Sequence, residues 1–165
     1  MSDEADVPEV VFSLATALRE RGWRMATAES CTGGLIAGAC TEISGSSDWF
    51  DRGFITYSNQ AKTEMLGVPG ELLVRHGAVS AEVACAMAVG ARQRSGVDCA
   101  VAVTGIAGPT GGSDTKPVGT VWLAWATPHG TGAGIQRFSG NRHAVRQATV
   151  IAALQGLLAR VTSET

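Results

Sequence analysis

Apolar residues along the chain follow two spacings, one helical and one typical of buried strands. Residues 8–21 carry apolar side chains three and four positions apart before Gly22, which predicts an amphipathic helix. The run CAVAVTG, residues 99–105, is continuously apolar, as in a strand covered on both faces. Further elements predicted from the same patterns are a strand at 24–28, a helix that opens at Thr32–Gly34 and stops at Gly45, a strand at 53–58, helices at 59–66 and from Ser80 to Gly96, strands at 121–127 and 134–140, and a last helix from Asn141.

The interleaving of helices and strands predicts an α/β fold, a three-layer α/β/α single domain over residues 1–165. The strands at 121–127 and 134–140 are close enough in sequence to form a hairpin, so we expect a mixed, mostly parallel sheet. The expected core stripes are Ala84, Met87, Ala88 and Ala91 in the helix after Ser80, and Ala144, Ala148, Ile151, Leu154 and Leu158 in the last helix.

Composition narrows the class of protein. The 165 residues are 45% hydrophobic and 17% charged, with a net charge of -2, which suits one soluble globular domain. This charge balance gives no electrostatic footprint for nucleic acid, and no apolar run approaches the ~20 residues that span a bilayer. The N-terminus, MSDEADVPEV, is acidic and unlike a signal peptide. We therefore expect a cytoplasmic protein without nucleic-acid or membrane partners.

Cysteine and histidine spacing argues against a metal site. The four cysteines contain no CxxC pair, and the three histidines, His76, His129 and His143, are scattered. We expect neither a zinc site nor a disulfide framework. Cys40 and Cys85 fall on apolar helix faces and are expected to be buried free thiols.

The stretch TAESCTGGLIAG, residues 27–38, places Ser30 where a strand gives way to a helix. One interpretation is an N-cap, in which the serine satisfies a free N–H of the helix. The other is a nucleophile beside unpaired N–H groups of Thr32, Gly33 and Gly34, which would stabilise an oxyanion or hold a phosphate. The local sequence leaves both open.

A serine nucleophile needs a base, and lysine is a candidate here. Lys62 and Lys116 are the only lysines among 13 basic residues, so arginine serves elsewhere as the cation. A buried lysine can lose its proton near neutral pH, whereas arginine cannot. The alternative interpretation is that both lysines are solvated surface residues. Tyr57, the one tyrosine, is either a packing residue or a proton relay between Ser30 and Lys62.

A Gly-rich loop, TGIAGPTGGS, begins at the end of the buried 99–105 strand. It matches neither GxGxxG nor GxxxxGK[ST], but long loops in this position are usually functional or mobile. Arg142 and Arg146 lie four residues apart at the start of the last helix. They form either a solvated charged face or a clamp for a phosphate or carboxylate.

Several motifs in chain order resemble one family, the CinA C-terminal domain family of nicotinamide-nucleotide amidohydrolases. They are TAESCTGG, GSSDWFDRGFITYSNQAK, GAVSAEVA, VTGIAGPTGGSDTKPVGTVW and GNRHAVR. The resemblance runs from about residue 8 to 160 and is to the stand-alone form, without the molybdopterin-binding-like domain of longer members.

The resemblance implies hydrolysis of the carboxamide of nicotinamide mononucleotide (NMN) to nicotinate mononucleotide and ammonia, which recycles pyridine nucleotides. By motif position, Ser30 is the nucleophile and Lys62 its base, with Tyr57 nearby and Arg142 on the phosphate. The implied lining of the substrate pocket is Thr32, Gly33, Gly34, Thr104, Gly105, Gly108 and Gly112.

No metal or organic cofactor is implied, and we expect a homodimer or higher homo-oligomer. The alternative function is a regulatory module, linked to competence or DNA damage, that binds a nucleotide without turnover. An ammonia-release assay separates this alternative from an amidase.

Overall fold

The computed structural model describes residues 6–163, so the acidic residues 1–5 and residues 164–165 lie outside it. The helices are α1 (Val7–Arg21), α2 (Leu35–Thr41), α3 (Asn59–Leu66), α4 (Gly70–His76), α5 (Ala81–Ser95) and α6 (Arg142–Ser163). The strands are β1 (Met25–Glu29), β2 (Phe50–Ile55), β3 (Cys99–Gly105), β4 (Thr120–Thr127) and β5 (Gly130–Arg137). A single 3₁₀ turn, Ser46–Asp48, precedes β2. No helix in this described part of the chain is long and apolar enough to cross a membrane.

The strands form one sheet in the order β2-β1-β3-β4-β5. β1 pairs in parallel with β2 and with β3, while β4 is antiparallel to both β3 and β5. Four strands of this sheet therefore run in one direction and β4 alone runs against them. The prediction of a mixed, mostly parallel sheet is confirmed, and the C-terminal hairpin is the reason that the sheet is mixed.

Helices cover both faces of the sheet, which confirms the three-layer α/β/α class. α1, α2 and α6 pack on one face, against the larger side chains of β3 such as Val101 and Val103. α3 and α5 pack on the other face, against its small side chains such as Ala100 and Ala102. Successive strand residues point to opposite faces, so β3 is apolar throughout because both of its faces are covered.

The close packing of α5 on α3 fixes the position of α3, which carries Lys62. Gly90 of α5 lies directly against the backbone carbonyl of Leu66, and a Cβ at this position would collide with that oxygen. Ser58 caps α3 by accepting a hydrogen bond from the Ala61 N–H, 3.0 Å away. The predicted apolar stripe of α5 is confirmed, since all four of its residues are buried.

Two strand positions differ from the prediction. β2 lies at Phe50–Ile55 rather than 53–58, because Ser58 caps the next helix and the chain must turn before it. β5 lies at Gly130–Arg137 rather than 134–140, because a two-residue turn returns the chain directly from β4. Neither shift changes the order of the elements. α4 was not predicted, and none of its residues is buried.

The predicted core stripe of α6 was wrong in register except at Leu154, which is buried as predicted. Ala144 is exposed, and Ala148, Ile151 and Leu158 are only half-buried. The buried residues are Val145, Thr149, Val150, Ala153, Leu154, Leu157 and Val161. Asn141 begins the helix as predicted, through a bond of 2.9 Å from the Ala144 N–H to its side chain. The helix is rotated about its axis relative to the prediction.

Candidate active site

Three hydroxyl side chains stand at the adjoining ends of the parallel strands. Ser30 follows β1, Thr56 follows β2, and Thr104 is the penultimate residue of β3. The Ser30 N–H donates to the Val103 carbonyl at 3.2 Å, and the Thr56 N–H donates to the Glu29 carbonyl at 2.9 Å. These bonds hold the three segments together at the carboxyl edge of the sheet, where α/β proteins collect their ligand sites.

Lys62 reaches Ser30 from α3. Its Nζ lies 3.1 Å from the Ser30 Oγ, which is hydrogen-bond distance. Lys62 is only 1% exposed and Ser30 is 8% exposed. The structure therefore joins the two side chains that the sequence offered separately as nucleophile and base.

The surroundings of Lys62 favour a neutral amine. Its Nζ donates to the carbonyls of Thr56, at 3.0 Å, and Tyr57, at 3.3 Å. No carboxylate among residues 6–163 forms an ion pair with it. Burial lowers the pKa of Lys62 from its ordinary value of 10.5, because the charged form loses solvation. A neutral amine has two protons for these two carbonyls, and its lone pair is then left for the Ser30 hydroxyl proton.

The lowered pKa of Lys62 predicts a dependence of stability on pH. Between that lowered pKa and 10.5, unfolding exposes an amine that takes up a proton which the folded protein has released. The free energy of unfolding should therefore rise with pH in this window, by at most about 1.4 kcal/mol per pH unit. Urea unfolding of the parent protein and of Lys62→Met measures the difference in slope, and equal slopes would contradict the prediction.

The interpretation of Ser30 as a helix cap is not supported by the structure. α2 begins at Leu35, five residues after Ser30, and its N-cap residue is Gly34. The N–H groups of the second and third residues of α2 are instead bound by Glu29, which is fully buried. Its carboxylate accepts from the N–H groups of Ile36 (2.9 Å) and Ala37 (3.0 Å). Ser30 is thus free of a capping role, and its hydroxyl faces Lys62.

The N–H groups that the sequence predicted to be unpaired are only partly so. The Gly33 N–H donates to the Ser30 carbonyl at 3.1 Å, and the Gly34 N–H to the Glu29 carboxylate at 3.2 Å. By contrast, the amides of Cys31 and Thr32 donate to no other residue in the described chain. Of the three predicted donors, the Thr32 N–H is thus available and the Gly33 and Gly34 N–H groups are not, while the Cys31 N–H was not predicted.

Cys31 is a buried thiol immediately after Ser30. Burial raises the pKa of the Cys31 thiol to about 11. Because the thiolate is the nucleophilic form of cysteine, this side chain stays inert at neutral pH. Cys40 is fully buried as predicted, whereas Cys85 is only half-buried, so the prediction for Cys85 was wrong. All four cysteines are free thiols.

Tyr57 presents its backbone, rather than its side chain, to Lys62. The tyrosine is 62% exposed, and its hydroxyl accepts a hydrogen bond of 3.0 Å from the guanidinium of Arg142. A second Arg142 nitrogen donates to the Gly108 carbonyl at 2.9 Å. The predicted relay of a proton through the Tyr57 hydroxyl is not supported by this geometry, because Lys62 contacts Ser30 directly. Arg142 instead ties Tyr57 to the Gly-rich loop.

Thr104 and the loop glycines have structural contacts of their own. The Thr104 hydroxyl donates to the Ala78 carbonyl at 3.0 Å. A Cβ at Gly105, Gly108 or Gly112 would collide with the segment from Val118 to Val121. Close packing between the two arms of this loop thus explains these glycines without a ligand. Their assignment to a substrate pocket stays a prediction.

The two other cations named from the sequence occupy different places. Arg146 donates to the Cys31 carbonyl at 3.1 Å and to the Thr32 carbonyl at 3.3 Å, so it contacts the turn after Ser30. Lys116 donates to the His76 carbonyl at 2.7 Å and forms no hydrogen bond with Ser30 or Lys62 in the described chain. Of the two lysines, only Lys62 has the buried setting expected of a base.

Two residues of this site were missed by sequence reasoning. Thr56 supplies a carbonyl to Lys62, and Glu29 binds the turn after Ser30. Glu29 carried a usable signal, since it is the one charged residue of β1, whose five residues are all buried. Within residues 6–163 no three His, Cys, Asp or Glu side chains are grouped as a metal site would require.

Comparison with known proteins identifies the family. The family model described as the CinA C-terminal domain matches residues 9–161. The chain is 50% identical to a protein of Escherichia coli K12 named nicotinamide-nucleotide amidohydrolase PncC, over 93% of this chain and 94% of that one. It is 55% identical to the Pseudomonas putida protein of the same name, over 90% and 95% of the two chains.

A solved structure agrees with this match. The crystal structure of the competence/damage inducible protein CihA from Agrobacterium tumefaciens superimposes with a TM-score of 0.92 and 49% identity, covering 99% of this chain and 100% of that one. Sequence, fold and the order of the motifs thus point to one conclusion: this chain belongs to the CinA C-terminal domain family.

Proposed function

We propose that this protein hydrolyses the carboxamide of NMN to nicotinate mononucleotide and ammonia, with Ser30 as nucleophile and Lys62 as general base. The observation that carries the proposal is the 3.1 Å contact between the buried Lys62 Nζ and the Ser30 Oγ. Relatives that are 50% and 55% identical bear the name nicotinamide-nucleotide amidohydrolase, which supports the choice of substrate.

The proposed reaction has an acylation and a deacylation half. Neutral Lys62 takes the hydroxyl proton of Ser30 while Oγ attacks the amide carbon and the carbonyl electrons move onto oxygen. Backbone N–H groups of the turn after Ser30 bind this oxyanion. When the intermediate collapses, the C–N bond breaks and Lys62 returns the proton to the departing ammonia. Water then gives a proton to Lys62 and attacks the acyl carbon, the bond from this carbon to Oγ breaks, and Lys62 returns the proton to Oγ as nicotinate mononucleotide is released.

Substrate recognition is proposed at the loops around this pair. Thr32, Gly33 and Gly34 lie on the turn after Ser30, Thr104 and Gly105 end β3, and Gly108 and Gly112 lie in the loop that follows β3. Arg142, at the N-terminus of α6, is the proposed phosphate contact, since guanidinium groups bind phosphate through two parallel bonds. The hydrogen bonds from Arg142 to the Tyr57 hydroxyl and to the Gly108 carbonyl set the position of its guanidinium. Cytoplasmic location, a homo-oligomeric state and a role in recycling pyridine nucleotides belong to the same proposal.

Arg142→Ala is expected to weaken hydrolysis of NMN more than hydrolysis of nicotinamide riboside, which lacks the phosphate. The expected loss in kcat/KM for NMN is about 10- to 100-fold, the usual value of a charge-assisted contact of 1.5–3 kcal/mol. Steady-state kinetics on both substrates measures the ratio. The matched control is Arg75→Ala, which removes an exposed arginine from α4. Equal losses on NMN and on the riboside would refute a phosphate contact.

The central experiment is ammonia release from NMN, compared with nicotinamide, NAD and a nucleotide without an amide. Release from NMN that persists in the presence of a chelator is expected. Loss of turnover on chelation, with recovery on adding a divalent metal, would contradict the serine–lysine mechanism. Binding of NMN without ammonia would instead favour the regulatory module.

A further inference from the structure

Arg146 holds the backbone of the turn after Ser30. Its Nε donates to the Cys31 carbonyl at 3.1 Å, and its second guanidinium nitrogen donates to the Thr32 carbonyl at 3.3 Å. Arg146 is partly buried and lies against Gly33, where a Cβ would be 3.6 Å from the same guanidinium nitrogen. Two consecutive carbonyls of this turn are therefore directed toward one cation.

The direction of these carbonyls determines the direction of the amides. In a planar trans peptide the C=O and the following N–H point in opposite directions. The Cys31 carbonyl faces Arg146, so the Thr32 N–H must point away from Arg146. The Ser30 carbonyl accepts from the Gly33 N–H, so the Cys31 N–H points away from that bond. These are the two amides that donate to no other residue in the described chain.

The carboxylate of Glu29 holds the same turn at two points, the Thr32 side chain and the Gly34 backbone. Its carboxylate accepts from the Thr32 hydroxyl at 2.6 Å and from the Gly34 N–H at 3.2 Å. With the Thr27 hydroxyl and two N–H groups of α2, it has five donors and no cationic partner among the described residues. A buried carboxylate with so many donors is held in one geometry, because each lost bond would leave its charge unsolvated.

We infer that Arg146 and Glu29 are positioning residues that hold the Cys31 and Thr32 amides as the oxyanion hole of Ser30. The inference rests on the proposed function, since it assigns the amides that bind the oxyanion in that reaction. It gives Arg146 a role different from that of a substrate clamp: Arg146 acts on the backbone of the turn and Arg142 on the phosphate. An oxyanion hole of amides is effective only when the donors are oriented before the charge develops.

The first test separates orientation of the turn from binding of substrate. Arg146→Ala is expected to lower kcat for NMN by about 10²- to 10³-fold, the range for loss of an oxyanion donor, with KM changed by less than about threefold. Free guanidinium added to Arg146→Ala should restore part of kcat. Arg146→Lys should recover less of kcat than this addition does, because an ammonium cannot form the two parallel hydrogen bonds of a guanidinium. The control is Arg137→Ala, which removes an exposed arginine from β5. Its kinetics should be like those of the parent protein. A raised KM with an unchanged kcat would overturn the inference.

A second readout does not depend on the identity of the substrate. An alkyl fluorophosphonate reacts with an activated serine: the Oγ–P bond forms, fluoride leaves, and the hydroxyl proton passes to the base. Its phosphoryl oxygen occupies the oxyanion hole, so the rate of Ser30 labelling, followed by intact mass, should fall in Arg146→Ala in parallel with kcat. Labelling at the parental rate in Arg146→Ala would overturn the inference even if NMN is hydrolysed. Arg146-dependent labelling without ammonia release would retain it and refute the proposed substrate.

Thr32→Val keeps the inference testable if Arg146→Ala does not fold. The change removes the hydroxyl that donates to Glu29 while it preserves the shape of the side chain and the Thr32 N–H. We expect kcat and the labelling rate to fall together by about tenfold, because the turn loses one of the two hydrogen bonds that join it to the Glu29 carboxylate. A loss of thermal stability with both rates unchanged would show that the Glu29 bonds serve folding alone, and would overturn the inference.

Discussion

Ser30→Ala is expected to leave a folded protein that binds NMN and releases ammonia at least about a thousandfold more slowly than the parent. The expectation follows from the contact of its Oγ with Lys62 and from the start of α2 five residues later, which deprives Ser30 of a capping role. The measurements are ammonia release, calorimetric binding of NMN and thermal unfolding.

The matched control for Ser30→Ala is Ser80→Ala. Ser80 is a true N-cap, since its Oγ accepts from the Val83 N–H at the start of α5. Its loss should cost about 0.5–2 kcal/mol of stability and leave the turnover of NMN largely intact. Retention of most of the activity in Ser30→Ala would remove the nucleophile from the mechanism. A trapped acyl group on Ser30, seen by mass spectrometry, would support it directly.

Lys62→Arg is expected to be as inactive as Lys62→Met. Arginine keeps a positive charge at this site but cannot give up its proton, whereas the buried Lys62 has a lowered pKa and can. Both variants should lose at least about a thousandfold in kcat, because a serine hydroxyl without a base is a weak nucleophile. The double variant Ser30→Ala/Lys62→Met should be little worse than either single one, since residues that act as a unit are not additive.

Lys116→Arg is the control for Lys62→Arg. Lys116 donates to the His76 carbonyl, a contact that a guanidinium can also make, so its replacement should leave kcat near the parental value. Substantial activity in Lys62→Arg would mean that this position supplies only electrostatic attraction. The pH profile gives an independent check, since kcat/KM of the parent should rise as Lys62 deprotonates, at a pH below 10.5.

Much of the fold could be predicted because its elements carry local signals. β3 is apolar throughout and α5 has a serine cap and a terminal glycine, so both were placed within a residue or two. The register of α6 could not be read in the same way. Its apolar residues are numerous enough to form more than one stripe, and the packing of the helix against α1 and the sheet selects between them.

The sequence by itself determined the α/β class and the order of the elements, and it identified Ser30 as a candidate nucleophile and Lys62 as a candidate base. It did so because periodicity, helix caps and the scarcity of lysine are properties of the chain. Only the tertiary structure removed the capping role from Ser30 and placed Lys62 against it, since residues 32 positions apart meet through the pairing of β1 with β2 and the approach of α3 to α5. The tertiary structure alone also lowers the pKa of Lys62 and gives Glu29 and Arg146 their places at the turn, because burial and distant contacts leave no local pattern.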